Sequence, residues 1–403
     1  MRINLSRQNV SLEKLQSEAA KIENATKELQ KSLNLKNYSK PESFVFLPFD
    51  EEKLINLIEL KKKFNGKKLS RILVIGIGGS TQGTRAIYEL MRYQKELVPM
   101  DFSEQIESEH LEKIINEYKD LHFKEFLCFL ISKSGSTTET LYNYEILSQK
   151  IDLTSANTII ITDEESHLKD TFQAKKHTTL PIPKKISGRF SVFSNVGLAP
   201  LMFSGVNIVK LLEGSMSASN LINEDENYAV LSACSKFVSH TIVNENLFPS
   251  RHFGELGKWE KQLFNESLGK TKVAPFTSFG NFFLENHSSL QFYLNSQYLF
   301  LSSVYFKENN PLRLEKANLM SKNFQNTETE EVRKAIYLSI LRSLEKNQIP
   351  IITHEWNQID EVEIGFYMQM KMLEVYYYSH LLQVNTFDQP DVSSYKENLI
   401  RYI

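Results

Sequence analysis

Cysteine is nearly absent from this 403-residue chain: Cys128 and Cys234 are the two present, far apart and in apolar or helical surroundings. Such a pair builds neither a disulfide framework nor a cysteine metal site, and it points to a reducing, intracellular home. Long hydrophobic runs are missing as well. No stretch approaches the ~20 apolar residues that a membrane helix needs. The start, MRINLSRQNVSLEKL, lacks the apolar core of a secretory signal. A cytoplasmic protein with no membrane partner is expected. Charge of one sign is lacking too: 47 Lys+Arg against 49 Asp+Glu leave a net -2. Without a global positive field a nucleic-acid partner is disfavoured. Low-complexity segments and short-period repeats are absent.

What is there suits a large soluble core, with 41% hydrophobic and 24% charged residues. The length exceeds one ordinary core, so two domains of roughly 150–200 residues are expected. Residues 11–33 carry apolar positions at helical spacing on a charged background, which predicts a surface helix or arm. Strand, loop and helix then alternate. ILVIGIG (Ile72–Gly78), FLCFLI (Phe126–Ile131) and TIIIT (Thr158–Thr162) are unbroken apolar runs, the first two each followed by a helical stretch. That pattern predicts an α/β fold with a parallel sheet covered on both faces. PIPKKISG (Pro181–Gly188) reads as a linker. Strand candidates beyond it are APFTSF and IPIITH, and DQPDVSSYKENLIRYI reads as a helix opened by Pro390. The expected units are an N-terminal helical arm (1–45), a first domain (46–183), a second (184–384) and a C-terminal helix (385–403).

Two loops follow apolar strands, GIGGS (Gly76–Ser80) and SKSGSTT (Ser132–Thr138). In an open parallel sheet, ligands sit beyond the carboxyl ends of the strands. Helices starting there aim free N–H groups and a positive dipole end at an anion, glycine lets the backbone approach, and hydroxyls add donors. The loops are not a dinucleotide fingerprint, because Thr81 stands where the third glycine belongs. Nor are they a Walker A loop, because Thr84 and Arg85 follow Gly83. They are either serine-capped tight turns or a cradle for a monophosphate; two in succession favour the cradle.

The segments VIGIGGSTQG, ISKSGSTTETL, SGRFSVFSNVGLAP, QLFNESLGK and NTFDQPDVSSYK occur in that order. In order and character they resemble the phosphoglucose isomerase family, in its shorter bacterial form, from about residue 70 to the end. The resemblance implies two sugar-isomerase (SIS) domains, each a doubly wound sheet. It implies reversible interconversion of glucose 6-phosphate and fructose 6-phosphate, in glycolysis and gluconeogenesis. No cofactor and no metal enter that reaction. By the same resemblance Ser132, Lys133, Ser134 and Thr137 bind the phosphate and Gly79 and Ser80 contact the sugar.

Such a reaction needs ring opening, a base that carries a proton between adjacent carbons, and a stabiliser for the enediolate. Glu266 lies on a predicted helix marked by Leu256, Trp259, Leu263 and Phe264, and Gln262 shares its face four residues earlier. A solvated helix-end carboxylate is the commoner fate of a glutamate; the matching motif implies the base, with Gln262 on substrate. His287, in LENHSSLQ, is either a hydrogen-bonded structural histidine or the ring-opening acid. The family's matching histidine enters from the partner subunit, which implies a homodimer with shared active sites. The residues before His287 depart from the longer enzymes' motif. Lys396 falls inside an apolar stripe of Val392, Tyr395, Leu399, Ile400 and Ile403. It either snorkels or presents its ammonium to the sugar ring, and the resemblance implies the latter. Gln389 matches a substrate-binding glutamine. Arg189 either ties down the linker or supplies fixed positive charge to the enediolate. Two rivals stand: a dual enzyme that also isomerises mannose 6-phosphate, and a non-catalytic sugar-phosphate sensor built on the same fold.

Overall fold

The computed structural model describes residues 1–4, 11–64, 68–224, 227–392 and 402. Among them two five-stranded sheets form the framework. The first contains β2 (Arg71–Ile75), β3 (Met100–Ser103), β4 (Phe126–Ile131), β5 (Thr158–Asp163) and β6 (Thr178–Ile182). Its order is β3-β2-β4-β5-β6 and every pairing is parallel. β4 is buried along its whole length because helices cover both faces. Leu127, Phe129 and Ile131 join one core with the Gln82–Met91 and Asn195–Ser204 helices. Phe126, Cys128 and Leu130 join another with residues of the helices at Ser108–Tyr118, Thr138–Ser148 and His167–Ala174. A strand wet on neither face has no polar alternation, which is why these runs read as continuous apolar segments.

The second sheet contains β1 (Arg2–Asn4), β7 (Val243–Phe248), β8 (Phe276–Asn281), β9 (Leu299–Phe306) and β10 (Ile351–Trp356). The order is β1-β10-β9-β7-β8, parallel except for β1. The fold is thus α/β, with two largely parallel sheets, each flanked by helices.

Two expectations are corrected. The first residues, read with the helical arm, form an edge strand of the second sheet, with Arg2 opposite Glu355. The N-terminal ammonium fixes it by an ion pair with Glu363 Oε1 at 2.9 Å. The stretch read as a linker from Pro181 begins inside β6. β6 lies at a sheet edge, where a proline that cannot donate is tolerated. The helical span in residues 11–33 is two helices, Leu12–Lys21 and Glu23–Leu35. Pro390–Val392 form a short 3-10 turn, and the expected C-terminal helix beyond lies outside the described residues. Among the described residues no helix is long and apolar enough to cross a membrane.

Beneath the second sheet's helices lies a fully buried set of charges. Lys236 Nζ pairs with Glu374 Oε1 at 2.7 Å, and Lys371 Nζ bridges Glu374 Oε2 at 3.0 Å and Glu260 Oε1 at 3.2 Å. Tyr367 donates to the other Glu260 oxygen at 2.9 Å. Two cations and two anions balance, and despite burial the lysines hold the Glu374 carboxyl down at about 2. Removing one member leaves a buried charge without its partner, a loss of ~3–5 kcal/mol. Lys236→Met is therefore expected to lower the melting temperature by at least 5 °C, on the order of what such a loss implies; calorimetry checks it.

A second pair of acids, Glu245 of β7 and Glu285 of the short helix Phe282–Glu285, meets beside Gly280 of β8. Glu245 Oε1 and Glu285 Oε1 each lie 3.1 Å from the point that a Cβ on Gly280 would occupy, and Ser278 donates to Glu245. Burial, then the Glu285 charge, pushes the Glu245 carboxyl up to about 7. Between its ordinary value and that one, the folded state binds the proton more tightly than the unfolded chain, so stability declines as pH rises through the window. Glu245→Gln is expected to flatten this decline: its melting temperature drops less than wild type's between pH 5 and pH 8. Equal drops would exclude the pair as the source.

Candidate active site

The turn after β2 comes first. Gly78 adopts φ +60°, a backbone region that favours glycine. At Gly79 an added Cβ would lie 2.3 Å from the carbonyl carbon of Gly188. The β2 turn and the Gly188–Phe190 turn therefore meet backbone to backbone, which no larger residue permits at Gly79. Ser191 Oγ supports the junction by donating to the Gly188 carbonyl at 2.7 Å. This contact brings Arg189, on the Gly188–Phe190 turn, to the mouth of the first sheet.

The hydroxyl loop after β4 is tied from below. Thr162 Oγ1 donates to the Ser132 carbonyl at 2.7 Å, and Ser132 Oγ donates to Thr137 Oγ1 at 3.1 Å. Ser132 is buried, so it sits beneath the cavity and orients Thr137. Thr137 occupies the N-cap position of the Thr138–Ser148 helix, yet no side chain caps that helix. Its first-turn N–H groups remain available as anion donors. Lys133 Nζ donates to the Ile186 carbonyl at 2.8 Å. Burial lowers the proton affinity of this ammonium, and the Asp163 charge opposes that shift.

The second half contributes the Gly254–Leu268 helix, which packs Leu256, Trp259, Leu263 and Phe264 into the core. Gln262 and Glu266 lie half-buried along the flank of that core-facing side. Gln262 Nε2 donates to Glu266 Oε2 at 3.0 Å, and Arg189 Nη1 donates to Glu266 Oε1 at 3.0 Å. Both carboxylate oxygens are thereby held. Arg189 Nε donates to Ser267 Oγ at 2.8 Å, while Nη2 donates to the carbonyls of Thr386 and Asp388 at 2.6 and 3.0 Å. Burial lowers the Arg189 proton affinity and Glu266 and Asp388 counter it, so a group this basic stays charged.

These parts enclose one cavity of about 830 Å³. Gly79, Ser80, Lys133, Ser134, Thr137, Arg189, Gln262, Glu266 and Gln389 all line it. Two expected residues among the described ones do not. Ser132 lies beneath the wall, and His287 is exposed on the turn after the short helix Phe282–Glu285. Lys396 lies outside the described residues, as do Tyr395, Leu399, Ile400 and Ile403 of its stripe. Sequence reasoning passed over Lys270, Asp388 and Thr386, which hold the segment leading to Gln389. Lys270 stands within the NESLGK motif four residues after Glu266, a spacing that offered the one available signal.

Chemically, the cavity offers hydroxyls and helix N–H groups at one end and a carboxylate gripped by a guanidinium and an amide at the other. A phosphoglucose isomerase family model matches residues 55–246. The glucose-6-phosphate isomerase of Methanocaldococcus jannaschii is 28% identical over 368 residues, covering 85% of this chain and 86% of that protein. That of Clostridium tetani is 29% identical over 373 residues, covering 84% and 82%. Among solved structures, a glucose-6-phosphate isomerase from Chlamydia trachomatis shares the fold at a TM-score of 0.81 and 16% identity, covering 99% of this chain and 87% of that one. Along most of its length, this chain is thus similar to the phosphoglucose isomerases.

Proposed function

We propose that the chain interconverts glucose 6-phosphate and fructose 6-phosphate, with the named cavity as its active site. One observation carries the assignment of roles: Glu266, gripped by Arg189 and Gln262, shares a cavity with the uncapped hydroxyl loop. The phosphate seats on Ser134, Thr137, Lys133 and the first-turn N–H groups of the Thr138–Ser148 helix, with Ser132 orienting Thr137 from below. The sugar then extends past Gly79 and Ser80 toward Glu266, where Gln262 and Gln389 hold its hydroxyls.

After ring opening, the Glu266 carboxylate removes the proton from C2 and returns it to C1, and the reverse reaction runs the same path. The intermediate is an enediolate whose negative charge needs a fixed positive neighbour. Arg189 supplies it without competing as an acid. His287 and Lys396 are assigned to ring opening. His287 stands on this chain's surface and away from its own cavity, which supports a homodimer in which it serves the partner's site. We also infer the domain limits given above, with the first domain extending to residue 183, and a cytoplasmic location. Both described cysteines are buried and unpaired, as a reducing compartment would leave them.

A coupled assay with fructose 6-phosphate tests the reading. The wild type is expected to turn over in the presence of a metal chelator. Glu266→Gln is expected to lose ~10²–10⁴-fold in kcat, the range for a general base, with little change in melting temperature. Retained activity in that variant would remove Glu266 as the base.

A further inference from the structure

Two charged groups beside the cavity have no part in the proposed chemistry, Lys270 and Asp388. Lys270 lies just past the C-terminal end of the Gly254–Leu268 helix. Its ammonium pairs with Asp388 Oδ1 at 2.9 Å and donates to the Asn385 carbonyl. Its side chain is 11% exposed, although lysine normally keeps its charge in water. Arg189 grips the same segment through the Thr386 and Asp388 carbonyls. Residues 385–389 belong to no helix or strand, so no backbone ladder fixes them. Three of their carbonyls are instead held by two cations from elsewhere in the fold. Gln389, at the end of this segment, lines the cavity while Lys270 does not.

We propose that Lys270 is a positioning residue: with Asp388 it latches the 385–389 segment so that Gln389 faces the bound sugar. The inference rests on the isomerase reading above and assigns that site a control on substrate affinity. Burial lowers the proton affinity of the Lys270 ammonium, and the Asp388 bond opposes this. Each partner therefore depends on the other: without Asp388 the cation is desolvated for one remaining carbonyl, and without Lys270 the segment keeps only its Arg189 contacts. Glu266 is held independently, by Arg189 and Gln262, so proton transfer does not pass through the latch.

The experiment compares wild type, Lys270→Met, Lys270→Arg, Asp388→Asn and the Lys270→Met/Asp388→Asn double variant. Steady-state kinetics with fructose 6-phosphate and hydrogen exchange at amides 385–389 without substrate are read on each. Lys270→Met and Asp388→Asn are each expected to raise KM about tenfold, as loss of one charge-assisted bond would, with kcat within about threefold of wild type. The double variant is expected to be no worse than the weaker single one, because both break the same contact. Lys270→Arg is expected to recover most of the affinity, and exchange at 385–389 to quicken in Lys270→Met. Unchanged exchange in Lys270→Met overturns the latch. A fall in kcat at constant KM also overturns it, by placing Lys270 in the chemistry, as does a silent Asp388→Asn beside a damaged Lys270→Met. A wild type that does not turn over fructose 6-phosphate sinks the isomerase reading alone, and the exchange arm still decides the latch.

Discussion

The site depends on one buried guanidinium. The Arg189 side chain is 1% exposed, and removing a charge from water to that degree is costly unless its donors are all met. Here four of the five N–H donors meet a carboxylate, a hydroxyl and two carbonyls. The price of burial is offset by partners drawn from two places far apart in sequence, the Gly254–Leu268 helix and the 386–388 segment. Arg189 itself is delivered by a turn that touches the β2 loop at Gly79. One residue thus ties together the β2 turn, Glu266 and the segment carrying Gln389. A lysine could not reproduce it, since a point charge lacks the fork that engages these partners together.

That geometry explains why two sheets are needed. The first sheet ends in loops that present uncapped N–H groups and hydroxyls, which suits an anion. The second half supplies the Glu266 carboxylate on a helix locked into the core by Trp259, Leu263 and Phe264. The four buried charges include Glu260 of that helix, so the helix bearing Glu266 is also anchored by polar contacts. In the proposed reaction a rigid mount matters, because a base displaced by about 1 Å loses much of its advantage.

Much of this was legible in sequence, and the reasons are physical. β2, β4 and β5 are dry on both faces and so write unbroken apolar runs. Gln262 and Glu266 were placed together by helical spacing alone, and they are hydrogen-bonded. Other parts left no such signal. β1 is three residues, Arg-Ile-Asn, at a sheet edge, where neither period nor composition marks a strand. β7 reads VNENLF because Asn244 and Asn246 are buried amides, which hides the apolar pattern. Lys270 finds its partner at Asp388, and no local pattern encodes a contact across that separation. His287 is legible as a residue type, but its surface placement depends on the fold.

The central claim is that Arg189 serves the charged intermediate more than the bound sugar. The direct measurement is the dissociation constant of two ligands on wild type and Arg189→Lys: fructose 6-phosphate, and a five-carbon phosphorylated hydroxamate that mimics the planar enediolate. The account predicts a loss of ~100-fold or more for the mimic, the scale for removing a preorganised donor, with a much smaller loss for the sugar phosphate. Equal losses for both ligands, or none for the mimic, would contradict it.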